Sequence, residues 1–229
     1  MQRKPKPRGV IYRLPRKELD EEVALLLGLH VGDGWLSDKW GIACEEEDKS
    51  MILRVTKLVR DVLGVEPIKP LKCAAGKAIA IRSGQPQVRG FFRNYGIPQG
   101  RKAGKVRIPK QILESNNEAA IKAFLRGLFS TDGCFSFQVI RGPRAEIQVK
   151  SEKLRDDFVQ LVGRLGFSFR SYTYLPPRGK NKAPLQVAYT TQMKQVVRWM
   201  EEIGSIKDAH IEQYQRWKRI IEGKKSLRK

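Results

Sequence analysis

The sequence predicts an α+β protein in which one αββαββα unit occurs twice, related by an internal pseudo-twofold. Each unit is expected to be an antiparallel sheet with helices on one face. Two observations carry this. A short stretch repeats at an offset of 99 residues, and the same order of helical and alternating apolar periods follows each copy. The excess of 45 Lys and Arg over 24 Asp and Glu, a net +21, runs through both halves and is not confined to a tail.

The elements follow in order. Residues 1–17 read as a basic N-terminal arm without the apolar stretch that a secretion signal needs. The first unit covers 18–96. It opens with a helix over 18–33, then an Asp-Gly turn and a strand pair over 35–44. A second helix spans 48–63, with apolar residues at 51, 52, 55, 58, 59 and 62. A hairpin over 66–83 and a short helix over 86–95 complete the unit. Residues 97–114, basic and rich in Gly and Pro, read as a linker. The second unit, 115–204, repeats the order: helix 115–132, strands 135–140 and 145–149, helix 151–165, hairpin 167–190 and helix 192–203. Residues 205–229 add a helix over 207–222 and a basic tail.

The repeat is sharpest where each unit begins. Residues 23–37 (VALLLGLHVGDGWLS) align with 122–136 (KAFLRGLFSTDGCFS). The identical pairs are Ala24/Ala123, Leu26/Leu125, Gly28/Gly127, Leu29/Leu128, Asp33/Asp132, Gly34/Gly133 and Ser37/Ser136.

Composition bounds the function. A chain so basic along its length implies a polyanionic partner, and nucleic acid is the expected one. No apolar run approaches the roughly 20 residues of a membrane span. Three cysteines without C-x-x-C spacing suggest neither a disulfide framework nor a zinc site. The expected location is cytoplasmic, on DNA, in an archaeal or organellar setting.

The two leading helices are apolar nearly all round and are therefore expected in the interior. Glycine inside a helix costs roughly 0.5–1 kcal/mol relative to alanine. Its presence at the matched positions Gly28 and Gly127 points to two helices packed on each other through those faces. Parallel pairing brings Asp33 and Asp132 together at adjacent helix C-termini. That end carries about half a negative charge and unpaired carbonyls, so two carboxylates there are misplaced. A hard divalent cation such as Mg²⁺ resolves the conflict, because carboxylate and carbonyl oxygens are its ligands.

These residues carry a resemblance to the LAGLIDADG homing endonucleases. Residues 26–34 (LLGLHVGDG) and 125–133 (LRGLFSTDG) each match the motif at its first, third, fourth, eighth and ninth letters. His30 and Phe129 stand where the family usually has an aliphatic residue. The resemblance implies the single-chain, two-motif type: a saddle whose two sheets lie in the DNA major groove on either side of a central minor groove. It implies a site-specific endonuclease that hydrolyses both strands across that minor groove, a monomer acting on a long double-stranded target. Asp33 and Asp132 would hold Mg²⁺, with Mn²⁺ or Ca²⁺ able to replace it for binding. The carbonyls of Gly32 and Thr131 would help.

Family sites add a Gln, Lys or Arg near the strand ends. By position the candidates here are Glu47, Lys150, Arg82 and Thr191. Expected DNA contacts on outward strand positions are Trp35, Ser37, Lys39, Trp40 and Ile42 in the first unit, with Ser136, Gln138, Glu146, Gln148 and Lys150 in the second. The hairpins offer Lys72, Lys77, Ile79, Arg82, Arg170, Tyr172, Tyr174, Arg178, Lys180, Lys182 and Gln186. Arg and Lys can pair with guanine and Gln with adenine, while other contacts only hold phosphates.

Two other readings stand beside the nuclease. One is a non-cutting relative on the same fold, an intron RNA maturase or a DNA-binding regulator; such relatives commonly lose one or both acids, and both remain here. The other is a structural basic protein such as a ribosomal component. Neither end shows protein-splicing residues, so the expected setting is a free-standing or intron-encoded reading frame.

Overall fold

The computed structural model describes residues 11, 13–72, 79–138, 142–176 and 183–226. The first unit runs α1 (Glu21–Asp33), β1 (Trp35–Leu36), β2 (Gly41–Glu46), α2 (Lys49–Leu63), β3 (Ile68–Lys72), β4 (Ile79–Ser83) and α3 (Pro86–Asn94). A short α4 (Lys110–Leu113) precedes the second unit. That unit runs α5 (Glu118–Asp132), β5 (Gly133–Gln138), β6 (Gly142–Val149), α6 (Glu152–Arg164), β7 (Arg170–Tyr174), β8 (Leu185–Thr190) and α7 (Met193–Glu202). The last element, α8 (Asp208–Ser226), extends beyond the expected 207–222. The repeated αββαββα order is therefore observed.

Each unit builds a four-stranded antiparallel sheet with the same connectivity, β1-β2-β4-β3 and β5-β6-β8-β7. The central strands present alternate residues to the helices, as a half-covered sheet must. In β6, Ala145, Ile147 and Val149 are buried in one apolar core with Phe158 of α6 and Trp199 of α7. The intervening Arg144, Glu146 and Gln148 lie on the opposite face, away from the helices.

At the middle of the molecule α1 packs along α5. Their termini are set by local chemistry. Asp20 accepts from the Val23 amide and Asn117 from the Ala120 amide, so each helix begins at a side-chain cap. Gly28 and Gly127 sit at the contact. A Cβ at Gly28 would overlap the Phe124 carbonyl, and one at Gly127 would lie 2.8 Å from the Leu29 nitrogen and 3.1 Å from the Gly28 Cα. The two backbones touch, which only glycine at both positions permits.

The segment expected as a linker is bound to both units. The Gly100 amide donates to the Leu36 carbonyl (2.7 Å). Val106, Ile108 and Ile112 are buried. Arg107 grips Asp157 of α6 through Nε (3.0 Å) and Nη2 (2.7 Å), and Ser151 Oγ donates to the Val106 carbonyl (2.7 Å). Among the described residues no helix is long and apolar enough to cross a membrane.

Candidate functional site

Both motif helices stop at the same place for the same reason. Gly34 and Gly133 have φ of −73° and −89°, so neither uses the left-handed freedom of glycine. What they require is room. A Cβ at Gly34 would strike the ring of His30, and one at Gly133 the ring of Phe129. The aromatic residues at these matched positions thus fill the space under the turn. His30 stacks on Phe92 with ring centres 3.7 Å apart, and Phe129 meets Trp199 edge-on at 5.5 Å.

The turns leave Asp33 and Asp132 side by side. A Cβ on Gly32 would lie 3.3 Å from Asp132 Oδ2 and inside the Thr131 hydroxyl, so the second acid abuts the last turn of α1. Burial pushes the Asp132 carboxyl up to about 7, and the charge of Asp33 adds to the shift, while Lys102 opposes it. Each effect has a direct cause: fewer waters around the charge, a like charge nearby, and one cation that favours ionisation.

That cation was not foreseen among the site residues. Lys102 Nζ donates to the carbonyls of His30 and Val31, both at 2.6 Å, and to the Gly32 carbonyl. It neutralises the end of α1 as a basic group at a helix C-terminus should. Lys102, Asp132, Gln148 and Lys150 line one cavity of about 180 Å³. A larger groove of about 440 Å³, lined by Leu14, Phe91 and Tyr95 among others, has no carboxylate in its wall and lies apart from this chemistry.

The donor set suits a hard cation. Two carboxylates and the carbonyls at the helix ends are oxygen ligands throughout. The Gly32 carbonyl already attracts a positive charge, that of Lys102, and the carboxyl of Asp132 feels the like charge of Asp33. Among the described residues no cluster of three His, Cys, Asp or Glu side chains occurs.

The remaining candidates separate by face. Strand pairing puts Cys134, Glu146, Tyr189 and Arg170 on one row of the outer face, with Ser136 beside Arg144, and Gln148 and Tyr172 on either side of Val187. Arg144 organises this face. Its Nε donates to Glu146 (2.5 Å), its Nη2 to the Tyr172 hydroxyl (3.3 Å), and its guanidinium lies 4.3 Å over the Tyr189 ring. Tyr172, Tyr174, Arg170, Gln138, Gln148 and Lys150 are exposed. Sequence reasoning missed Arg144, although its alternation with Ala145 and Ile147 carried the signal.

Gln186 is a correction. It is 8% exposed and lies on the helix-facing side, where Arg155 Nη1 (2.6 Å) and Thr173 Oγ1 (2.9 Å) donate to its carbonyl. Register decides this, since Gln186 pairs with buried Val149. In the first unit, Trp35 is exposed and Arg82 shares its face, 4.8 Å over the Trp40 ring. Ser37 is occupied locally, accepting from the amides of Lys39 (3.2 Å) and Trp40 (3.0 Å) to close the β1–β2 turn. Lys39 and Glu47 are exposed, Glu47 just before the Asp48 cap of α2, and Thr191 is exposed beyond β8. Ile79 packs against the core. Lys72 and Ile42 lie on β3 and β2. Lys77, Arg178, Lys180 and Lys182 lie outside the described residues.

Comparison with known proteins follows the same lines. Residues 119–204 match the LAGLIDADG-like domain family. The chain is 31% identical over 159 residues to an A-type ATP synthase subunit of Pyrococcus abyssi, covering 69% of this chain and 15% of that protein. It is 27% identical over 161 residues to the replication factor C small subunit of Methanocaldococcus jannaschii, covering 70% of this chain and 8% of that one. The chain thus spans a small fraction of these relatives. Among solved structures, I-DmoI in complex with DNA and Mn superposes with a TM-score of 0.56 at 16% identity, covering 82% of this chain and 98% of that one. The N-terminal LAGLIDADG domain of DUF199/WhiA gives 0.56 at 16% identity, covering 84% and 87%. I-WcaI bound to its DNA recognition sequence gives 0.51 at 14%, covering 85% and 84%. At such identities these likenesses establish the fold.

Proposed function

We propose that this chain, which belongs to the LAGLIDADG-like family, is a site-specific endonuclease that cuts both strands of DNA with the help of divalent cations. The observation that carries the reading is the meeting of Asp33 and Asp132 at the ends of two helices held together by Gly28 and Gly127. A protein that only gripped DNA would have no use for two apposed carboxylates within a chain of net charge +21.

Asp33, Asp132 and the carbonyls of Gly32 and Thr131 would hold the cations. Bound Mg²⁺ would supply Lewis acidity and a water of lowered pKa for phosphodiester hydrolysis. The chain's own residues do the rest. Lys150 and Gln148 stand at the mouth of the cavity beside Asp132, where a cation and an amide can meet a phosphate and orient water. Arg144, Arg170, Tyr172 and Tyr174 offer donors and aromatic faces on the open side of the second sheet, with Trp35 and Arg82 in the first. Arg144 is held over the Tyr189 ring by Glu146 and Tyr172, an ordered cation on the open face that can hold a phosphate.

The chain acts as a monomer, the two units at 18–96 and 115–204 serving the two halves of one long target. A related segment forms a small part of a replication factor and of an ATP synthase component, which supports a self-contained module whose activity is separate from its neighbours.

Cleavage of a randomised duplex library in Mg²⁺, followed by sequencing of the ends, tests the reading. A defined site cut on both strands is expected, with Asp33→Asn and Asp132→Asn binding that site without cutting it. Binding without cutting in Mg²⁺ or Mn²⁺ would favour the regulator or maturase. Full cleavage by Asp132→Asn would overturn the site.

A further inference from the structure

We propose that Lys102 is a built-in counter-cation that occupies the α1 end of the metal centre and competes with the divalent ion for the Gly32 carbonyl. The inference rests on the metal-centre reading above. An ammonium has three protons and no acceptor. Here they meet three consecutive carbonyls, those of His30, Val31 and Gly32. A lysine on the surface for solubility would leave its protons to water.

Its backbone is fixed for that purpose. The Lys102 carbonyl accepts from the amides of Lys105 (2.8 Å) and Val106 (2.9 Å), closing a turn. The turn is tied to the first unit through Gly100 and Leu36, and to the second through Val106–Ser151 and Arg107–Asp157. The ammonium is therefore delivered by a segment anchored on both sides, into the cavity that Asp132 lines.

The other helix end is closed differently. Ser130 Oγ donates to the Arg126 carbonyl (2.7 Å) and accepts from the Ile206 amide (2.9 Å), and Thr131 Oγ1 donates to the Leu128 carbonyl (3.0 Å), so hydroxyls stand in the last turn of α5 where α1 meets an ammonium. The two halves of the centre consequently differ in charge before any ion arrives. A divalent cation bound to Gly32 oxygen and an ammonium on the same oxygen repel each other, so one must withdraw.

Thermal unfolding of the full chain, titrated with CaCl₂ without DNA, measures the competition, because an ion that binds the folded state raises the melting temperature by mass action. Lys102→Met and Lys102→Gln are expected to melt lower than wild type in EDTA. They are expected to reach half their Ca²⁺-induced shift at a roughly tenfold lower concentration, the size of one lost charge-assisted contact. Lys102→Arg should stay near wild type. Unchanged or weaker Ca²⁺ response in either folded neutral variant would overturn the proposal. Asp132→Asn separates the two levels. Loss of its Ca²⁺ response with unaltered Lys102 variants would sink this inference alone. An undiminished response in Asp132→Asn would sink the metal centre and this inference with it.

Discussion

At the end of α1 a lysine from a distant segment gathers three backbone carbonyls, whereas in the last turn of α5 the Ser130 hydroxyl donates to the Arg126 carbonyl and accepts from the Ile206 amide. The first sheet begins with the two-residue β1, the second with the six-residue β5. The first unit is flanked by the N-terminal arm, whose Arg13 and Arg16 amides donate to the carbonyls of Gly64 and Val62. The second is covered by α8, where Tyr214 and Trp217 pack on Phe135. What stays common is the backbone path, the glycine contact and the acid after each helix. Duplication has preserved the features that two units must share to meet, while each unit finishes its own edges with whatever chain lies nearby.

The largest expected effect tests whether the two acids are equivalent despite these different surroundings. Asp33→Asn and Asp132→Asn should each lower double-strand cleavage by about 10³-fold or more, the scale of losing a group that bears transition-state charge. Binding measured by mobility shift should change little. Loss of activity in only one variant would assign the chemistry to one half.

Next is the shared contact. Gly28→Ala and Gly127→Ala each push a methyl group into the facing helix backbone, and each should cost about 3 kcal/mol in chemical denaturation. Gly163→Ala in α6, with nothing within 4 Å of the new methyl, should instead gain about 0.5–1 kcal/mol. A mild cost at Gly28 alone would mean the first helix can retreat.

A third test reads the charge imbalance through pH. The Asp132 carboxyl, pushed up to about 7 in the folded protein, keeps a proton that the unfolded chain has released above roughly 4. Metal-free stability from this group is therefore complete at the acid end and falls as pH rises toward neutrality. Asp132→Asn should flatten that slope in melting curves taken in EDTA, and Ca²⁺ should restore stability to the wild type near pH 7. A slope unaltered by Asp132→Asn would show that neither burial nor Asp33 holds a proton on this carboxyl.

The smallest effect contrasts the two faces of one sheet. Arg144→Ala should weaken DNA binding at the selected site and lower its salt dependence by about one counterion, as the loss of one phosphate contact does. Gln186→Ala should leave the salt dependence unaltered and cost stability alone, because its partners are Arg155 and Thr173.

These contrasts also show where sequence is informative. The pairing of α1 with α5 was legible because close backbone approach demands glycine, and the demand falls on two matched positions. The aromatic residues at 30 and 129 looked like departures from a motif; the space beneath Gly34 and Gly133 explains them. Gln186 was misread because polarity alone does not give strand parity, and a buried Gln with an Arg from α6 resembles a surface Gln in sequence. Lys102 was illegible for a different reason. It is one of 45 basic residues, in a stretch whose Gly and Pro content suggested a free connector, and only the turn pinned by Arg107 and Ser151 aims it at α1.

The most direct measurement is anomalous scattering from Mn²⁺ in crystals of the chain with its selected DNA. Peaks bracketed by the carboxylates of Asp33 and Asp132, with the Gly32 oxygen in contact and the Lys102 ammonium moved off it, are the predicted result. Mn²⁺ bound elsewhere, with both carboxylates bare, would contradict the account.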